Sequence, residues 1–307
     1  MPTPPGGLPD PGAAALPWGG GPAGRMALDR ARPLHLALGR NGLAFAVVSL
    51  AWLRTLPADA RAALAARHLA RDEADFAAAL PVAKRHIEWL AGRLALKAAV
   101  RAHQRHHGAR APDPAPAIRI RRIADGPRAG KPYIDGPAGI GLSHAGDFAL
   151  AACGPGALGV DLEPHRTLTP YLARLLSLDE HPGDAGAPGA PGPGGATGRR
   201  AAGATGVPAD VGAREDAAAP GPARARLHRM PLTLRWACKE AVLKYYGFGL
   251  RIGTGVREVE LTGWHPDGRF TWRPGPELRR LLPAEGDGPR HCVAQEIDDY
   301  SLAMVWQ

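Results

Sequence analysis

The sequence Leu234-Arg-Trp-Ala-Cys-Lys-Glu-Ala-Val-Leu-Lys-Tyr-Tyr-Gly-Phe-Gly249 decides the fold, because it carries the marks of one well-bounded helix. Pro231 precedes it and suits a first helical turn, whereas Gly247 and Gly249 are typical of a helix end. Apolar residues recur at helical spacing and predict a stripe that faces the core. That stripe consists of Leu234, Ala237, Ala241 and Tyr245.

A second face of this predicted helix is polar. Glu240 and Lys244 are four residues apart, so a helix places a carboxylate and an ammonium group side by side. Trp236 lies one turn before Glu240 on the same face. Taken alone, such a pair is typical of a solvent-exposed helix surface, and it becomes informative only together with a second motif.

The second motif is Gly159-Val-Asp-Leu-Glu-Pro164, which predicts the end of a strand. Because side chains alternate along a strand, Asp161 and Glu163 point to the same side. Together with Glu240 they form a set of three carboxylates. Oxygen-only ligands suit a hard cation such as Mg²⁺, which also binds substrate phosphates.

These two motifs together resemble the paired signature of the Sfp-type 4′-phosphopantetheinyl transferases, whose usual forms are G-[IV]-D-[IVL]-E and W-x-x-K-E-[AS]-x-x-K. The resemblance implies a holo-acyl-carrier-protein synthase. Such an enzyme transfers the phosphopantetheine arm of coenzyme A to a serine of an apo acyl or peptidyl carrier protein and releases 3′,5′-ADP. It also implies an α+β fold of two pseudo-symmetric halves, each a small, mainly antiparallel sheet packed with helices, with the active site at their junction.

The resemblance further assigns roles to individual residues. Asp161, Glu163 and Glu240 would hold Mg²⁺ on the pyrophosphate of coenzyme A. Lys244 would face the phosphate oxygens, and Glu240 or a water on the metal would accept the serine proton. The expected catalytic residues are therefore Glu240 and Lys244.

Other matches concern the binding of coenzyme A. The family shows G-K-P and then S-H-S, and this chain has Gly130-Lys-Pro132 and Ser143-His-Ala145, so the last serine is missing. A predicted helix at 81–107 resembles the basic N-terminal helix of the family and supplies Arg85 and Arg93 as weaker candidates. The expected coenzyme A ligands are Arg85, Arg93, Lys131, Pro132, Ser143, His144, Lys239 and Lys244.

The composition divides the chain further. Residues 1–40 are rich in Pro, Gly and Ala and predict a disordered tail, followed by an N-terminal half at 41–153 that would bind coenzyme A. The C-terminal half, 154–307, would carry the metal site and contains a Gly/Pro/Ala-rich insert at 182–226 that predicts disorder. The family usually has a shorter segment there, which helps to dock the carrier protein.

Local patterns predict the other elements. An apolar run at 43–53 predicts a buried strand, residues 57–69 a helix, and the alternation at 118–123 a half-exposed strand. Turns at 265–268 and 298–299 each lie between two strand-like runs and predict antiparallel hairpins.

The net charge of +9 is consistent with a polyanionic partner, although an Arg- and Ala-rich composition gives the same charge without any function. Cys153, Cys238 and Cys292 are isolated and indicate small buried side chains in a reducing compartment. No secretory leader and no run of transmembrane length is visible, so we expect a cytoplasmic protein without a membrane partner. The two-half layout predicts a monomer.

Two other function classes remain open at this point. The same three carboxylates would serve a Mg²⁺-dependent phosphodiesterase or nuclease, which needs no carrier protein. A basic nucleic-acid-binding module without catalysis is the second alternative, but no nucleic-acid-binding motif is present and aromatic residues do not alternate with the basic runs. The transferase, with no nucleic-acid partner, is the function that the motifs favour.

Overall fold

The protein is described by a computed structural model over residues 14–15, 28–39, 42–108, 111–176, 221–249, 255–282 and 288–307. Within these residues it is a mixed α/β protein with eight α-helices and several small, mainly antiparallel sheets. The strands are β1 Ala14–Ala15, β2 Leu34–Leu38, β3 Ala44–Ser49, β4 Arg121–Arg122, β5 Pro132–Tyr133, β6 Gly139–Ala145, β7 Phe148–Gly154, β8 Leu158–Pro164, β9 Val259–Trp264, β10 Phe270–Pro274, β11 His291–Ile297 and β12 Tyr300–Trp306. The helices are α1 Leu50–Thr55, α2 Ala58–His68, α3 Arg71–Ala78, α4 Ala83–His106, α5 Pro170–Leu175, α6 Pro222–Leu227, α7 Leu232–Tyr246 and α8 Pro276–Leu281.

The larger sheet has the strand order β1-β2-β3-β7-β6, and all neighbouring strands are antiparallel except β1 and β2. The long helix α4 packs across this sheet. Leu90, Ala91 and Leu94 of α4 are buried in the same core as Ala46 and Ala151 of the sheet. Apolar residues at helical spacing thus meet small residues on β3 and β7, which lets the helix approach the sheet closely.

The smaller sheet has the order β11-β12-β8, and α7 packs on it. Gly159 in β8 permits this contact, because a Cβ atom there would collide with the carbonyl oxygen of Ala241. The predicted stripe residues of α7 are all buried in the core beneath the helix. The helix therefore lies directly on the strand that carries the two acidic residues of the Gly159–Glu163 motif.

A third core lies between the two sheets. It combines Phe148 and Leu150 of β7 with Leu162 of β8 and Leu302 and Met304 of β12. Gly141 of β6 adds to this close packing, since a Cβ atom there would lie 2.6 Å from Cδ1 of Leu158. As a result β6 and β8 run side by side at the place where the site is built.

Most elements expected from local patterns are confirmed: the helix at 234–246, the helices at 57–69 and 81–107, and both hairpins near the C-terminus. Two strands are shorter than expected. Strand β3 stops at Ser49, whose hydroxyl accepts a hydrogen bond from the amide of Trp52 at 3.0 Å and begins α1. Between 118 and 123 only Arg121–Arg122 pairs as a strand, with Pro132–Tyr133.

The expected disordered tail at 1–40 is wrong for Leu34–Leu38, which pairs along its whole length with β3. Arg30 just before it forms ion pairs with Asp147 at 2.8 Å and with Asp299 at 3.0 Å. Residues 182–220 of the expected disordered insert lie outside the described residues. Residues 222–226 belong to α6, so the prediction of disorder is wrong for that part. None of the helices in the described parts of the chain is long and apolar enough to cross a membrane.

Candidate functional site

A cavity of about 570 Å³ opens between α4, β6 and the last turn of α7. Basic side chains of several elements face it together with Phe76, Trp89 and Phe248. Of the eight residues that the sequence assigned to coenzyme A, seven line this cavity. They are Arg85, Arg93, Lys131, Pro132, Ser143, His144 and Lys244.

Lys239 is the eighth residue, and the structure does not bring it to the cavity. Its side chain is buried, and its ammonium group donates to the carbonyl oxygen of Val256 at 3.1 Å. Burial lowers the pKa of Lys239 to about 8. Five residues along a helix correspond to a rotation of about 140°, so Lys239 and Lys244 leave α7 on different sides.

At the α7 end of the cavity Ser143, Asp161 and Lys244 form one hydrogen-bonded group. The ammonium of Lys244 donates to Oδ1 of Asp161 at 2.5 Å and to Oγ of Ser143 at 3.0 Å. Oγ of Ser143 donates in turn to the same Asp161 oxygen at 2.8 Å and accepts from the amide of Leu162 at 3.2 Å. Three elements, β6, β8 and α7, are thereby tied together at the site.

The charge of Asp161 acts on both Glu163 and Glu240. Burial and the nearby charge of Asp161 raise the pKa of Glu240 to about 7, and the same two causes raise the pKa of Glu163 to about 7. Trp236 acts weakly in the opposite direction and lowers the pKa of Glu163. The three acidic residues are therefore one electrostatically coupled cluster.

Lys244 is the cation of this cluster. Burial by itself would lower the pKa of Lys244, but the charges of Asp161, Glu240 and Glu163 raise it above its ordinary value. The ammonium group is thus held protonated at the wall of the cavity, where it faces any anion that enters.

The acidic cluster has the donor chemistry of a divalent-cation site. Among the described residues, Oδ2 of Asp161 and Oε1 of Glu240 are buried without a hydrogen-bond partner, and the pKa values of Glu163 and Glu240 are raised. A hard cation would relieve both conditions, because it binds carboxylate oxygens and offsets their mutual repulsion. In the side-chain arrangement of the described residues, however, no three acidic, imidazole or thiol groups surround a single point as a metal would require.

The α4 side of the cavity rests on a buried charge cluster that the sequence did not reveal. Lys97 is 1% exposed, and its ammonium contacts Glu73 at 2.6 Å and the carbonyl oxygens of Ala115 and Ile118 at 2.8 Å each. Glu73 also lies 3.9 Å from Nε of Arg93, a cavity residue. This cluster holds α3, α4 and the 115–118 segment in place.

Arg93 itself is largely buried. It donates to the carbonyl oxygen of Ile120 at 3.1 Å, and its guanidinium lies 5.1 Å from the ring centre of Trp89. Arg85 and His144 are exposed at the rim. Arg122 also lines the cavity, although the sequence analysis did not single it out. Its basic side chain in the half-exposed strand predicted at 118–123 was the signal that could have identified it as a cavity residue.

No protein-family model matches the sequence, and no curated protein matches it significantly.

Proposed function

We propose that the protein is a 4′-phosphopantetheinyl transferase that modifies a serine of an apo acyl or peptidyl carrier protein, with coenzyme A as its co-substrate. The observation that carries the proposal is the position of Lys244. This residue belongs at once to the basic cavity and to the acidic cluster of Asp161, Glu163 and Glu240. A basic cavity thus adjoins carboxylates whose chemistry suits a divalent cation, and phosphoryl-type transfer uses both a polyanion site and such a cation.

The cavity chemistry suits coenzyme A. Its phosphates are anions, and Lys131, Arg93 and Lys244 supply cationic groups along the cavity, with Arg85 and His144 at the rim. Apolar and aromatic walls formed by Trp89 and Phe248 suit the uncharged parts of the ligand.

The residues of the acidic cluster then have separate roles. The serine oxygen of the carrier protein attacks the β-phosphorus of coenzyme A, and the bond to the 3′,5′-ADP leaving group breaks. Oε1 of Glu240 has no hydrogen-bond partner within the described residues, and burial raises the pKa of Glu240 to about 7, so this carboxylate is suited to accept the serine proton. Lys244 stabilises the charge that develops on the phosphate oxygens.

Asp161, Glu163 and Glu240 would hold Mg²⁺, which would neutralise charge on the pyrophosphate. Ser143 keeps one oxygen of Asp161 oriented through its hydroxyl, so that the other oxygen, Oδ2, remains available.

The proposal includes the architecture that such an enzyme needs. Each half of the chain supplies one sheet with one long helix across it: α4 lies on the five-stranded sheet and α7 on the three-stranded sheet. This similarity supports two pseudo-symmetric halves with the active site at their junction. Because each half supplies part of the site, the protein would act as a monomer in the cytoplasm. A dimer mass in light scattering would contradict the monomer.

The test is the intact mass of apo carrier proteins of several types after incubation with the protein, coenzyme A and Mg²⁺. We expect a gain of one phosphopantetheine group that is abolished by EDTA and by Glu240→Gln. Glu296→Gln is the matched control, because Glu296 is about half exposed and pairs with His165 away from the cavity.

If no carrier protein gains mass while the folded protein binds coenzyme A, the transferase proposal fails. Cleavage of free coenzyme A in the same reactions would then identify a Mg²⁺-dependent phosphodiesterase, the alternative that uses the same acidic residues.

A further inference from the structure

In the last turn of α7, the backbone carbonyl oxygens of residues 243–246 all accept hydrogen bonds from outside the regular helix pattern. The amide of Gly247 donates to the carbonyl oxygens of Leu243 at 2.9 Å and of Lys244 at 3.1 Å, and Phe248 also donates to Leu243 at 3.0 Å. These bonds need Gly247 in the left-handed region, with φ of 85°. The next two carbonyls along the helix are those of Tyr245 and Tyr246.

Two cations from another part of the chain bind those carbonyls. The ammonium of Lys131 donates to the oxygen of Tyr245, and Nε of Arg128 donates to the oxygen of Tyr246 at 2.8 Å. Positive charge at the C-terminal end of a helix is favourable, because the helix dipole is negative there. We call this pair, Arg128 and Lys131, the carbonyl clamp.

The two side chains of the carbonyl clamp also pack closely against Gly247. A Cβ atom at Gly247 would lie 2.7 Å from Cδ of Lys131 and 3.4 Å from Cβ of Arg128. Gly247 is therefore required twice, for its backbone conformation and for the space that the clamp occupies.

The segment that carries the clamp is fixed to its own neighbours. The amide of Ile123 donates to the carbonyl of Lys131 at 3.0 Å, and the amide of Gly130 donates back to Ile123 at 2.7 Å. This segment also contributes Ala129, Gly130 and Lys131 to the cavity wall. It is thus a rigid connection between the cavity and the turn of α7 that carries Lys244.

We propose that Arg128 is a positioning residue for Lys244: it holds the last turn of α7 so that the Lys244 ammonium stays aligned with both the cavity and Asp161. The inference rests on the proposed function. Arg128 does not line the cavity, unlike Lys131, so its influence passes through the helix and not through contact with the ligand. Its loss should lower the rate of the transfer step and leave the binding of coenzyme A almost unchanged.

The experiment compares Arg128→Ala and Arg128→Lys with the wild type. Arg121→Ala is the matched control, because Arg121 is an exposed arginine of the same segment that pairs with Asp135 and does not line the cavity. We expect Arg128→Ala to lower kcat for carrier modification about tenfold, which is about 1.4 kcal/mol of transition-state stabilisation. The KM for coenzyme A should change less than about twofold, Arg128→Lys should recover most of kcat, and Arg121→Ala should behave as the wild type.

Amide hydrogen exchange of the protein without substrates gives a second, independent measurement. In Arg128→Ala the amides of Gly247 and Phe248 should exchange faster, because the turn that they close loses its clamp, whereas amides near Leu234 at the other end of α7 should keep their rates.

Three outcomes overturn the proposal: unchanged exchange at Gly247 and Phe248, faster exchange with an unchanged kcat, or a KM effect as large as the kcat effect. The last would make Arg128 a ligand-binding residue. A wild-type protein that modifies no carrier overturns the proposed function instead, and the two failures are distinguishable because hydrogen exchange is measured without carrier or coenzyme A.

Discussion

Replacing Glu240 with glutamine should stabilise the protein at alkaline pH in the absence of divalent cations. Glu240 is 6% exposed, and its Oε1 has no hydrogen-bond partner in the described part of the chain. Burial, and then the charges of Asp161 and Glu163, raise its pKa. Glutamine has nearly the same shape but never ionises. The substitution therefore removes the repulsion and keeps the volume.

The magnitude follows from the pKa of Glu240, which rises from 4.5 to about 7 on folding. One pKa unit corresponds to about 1.36 kcal/mol, so ionising Glu240 in the folded state costs about 3 kcal/mol. Between these two pH values the folded protein binds the extra proton, and its free energy of unfolding falls as the pH rises. Glu240→Gln should thus be about 3 kcal/mol more stable than the wild type at pH 8, and less than about 1 kcal/mol more stable at pH 5.

The assay is urea denaturation at pH 5 and pH 8 in EDTA, followed by tryptophan fluorescence, with Glu296→Gln as the exposed control. Added Mg²⁺ should raise the wild-type stability at pH 8 and have a smaller effect on Glu240→Gln, since a ligand that binds the folded state stabilises it. Equal effects of the substitution at both pH values would refute the description of Glu240 as a buried member of a coupled acidic cluster.

Other regions give sharper tests of packing and charge. Gly159→Ala should destabilise the protein by about 2 kcal/mol or more in urea denaturation, because the added methyl group meets the Ala241 carbonyl and moves α7 off β8. Lys97→Met should cost about 3 kcal/mol in the same assay, because the buried Glu73 carboxylate loses its closest cation and keeps the more distant Arg93, at 3.9 Å; a loss below 1 kcal/mol would contradict this. Burial and the charge of Arg128 lower the pKa of Lys131 to about 8, so its positive charge is lost as the pH rises through 8. The affinity of the wild type for coenzyme A, measured by calorimetry, should then be about tenfold lower at pH 9 than at pH 7. The affinity of Lys131→Met should depend little on pH.

The sequence was most informative where one element carries its own pattern. Helical spacing placed Glu240 and Lys244 on one face of α7, and strand alternation placed Asp161 and Glu163 on one side of β8. Gly247 ends the helix as its position predicted. These are local consequences of backbone geometry, and they need no knowledge of how the elements pack.

Contacts between distant elements could not be predicted in this way. Lys97 lay on a predicted helix, but its partner Glu73 lies on α3, a helix that no local pattern indicated, and the preceding Ala70 lacks the hydroxyl of a capping box. Arg128 belongs to no recognised motif, and it donates to the carbonyl oxygen of Tyr246, 118 residues further along the chain. Such pairs depend on tertiary packing, which a single sequence shows only through its core pattern.

The acidic cluster illustrates why a site can violate the rules that predict the rest of the fold. Burying Asp161 and Glu240 with oxygens that lack a hydrogen-bond partner among the described residues opposes folding. Burial likewise raises the pKa values of Glu163 and Glu240. Lys244 offsets only part of the cost of this burial, through one oxygen of Asp161. Since natural sequences are otherwise consistent with their folds, an uncompensated buried charge is expected where binding of a cation or a substrate supplies the missing interaction. The stability of Glu240→Gln therefore tests the functional site directly: a variant that is more stable without metal and inactive with it would show that the wild-type carboxylate is kept for binding and catalysis at the expense of stability.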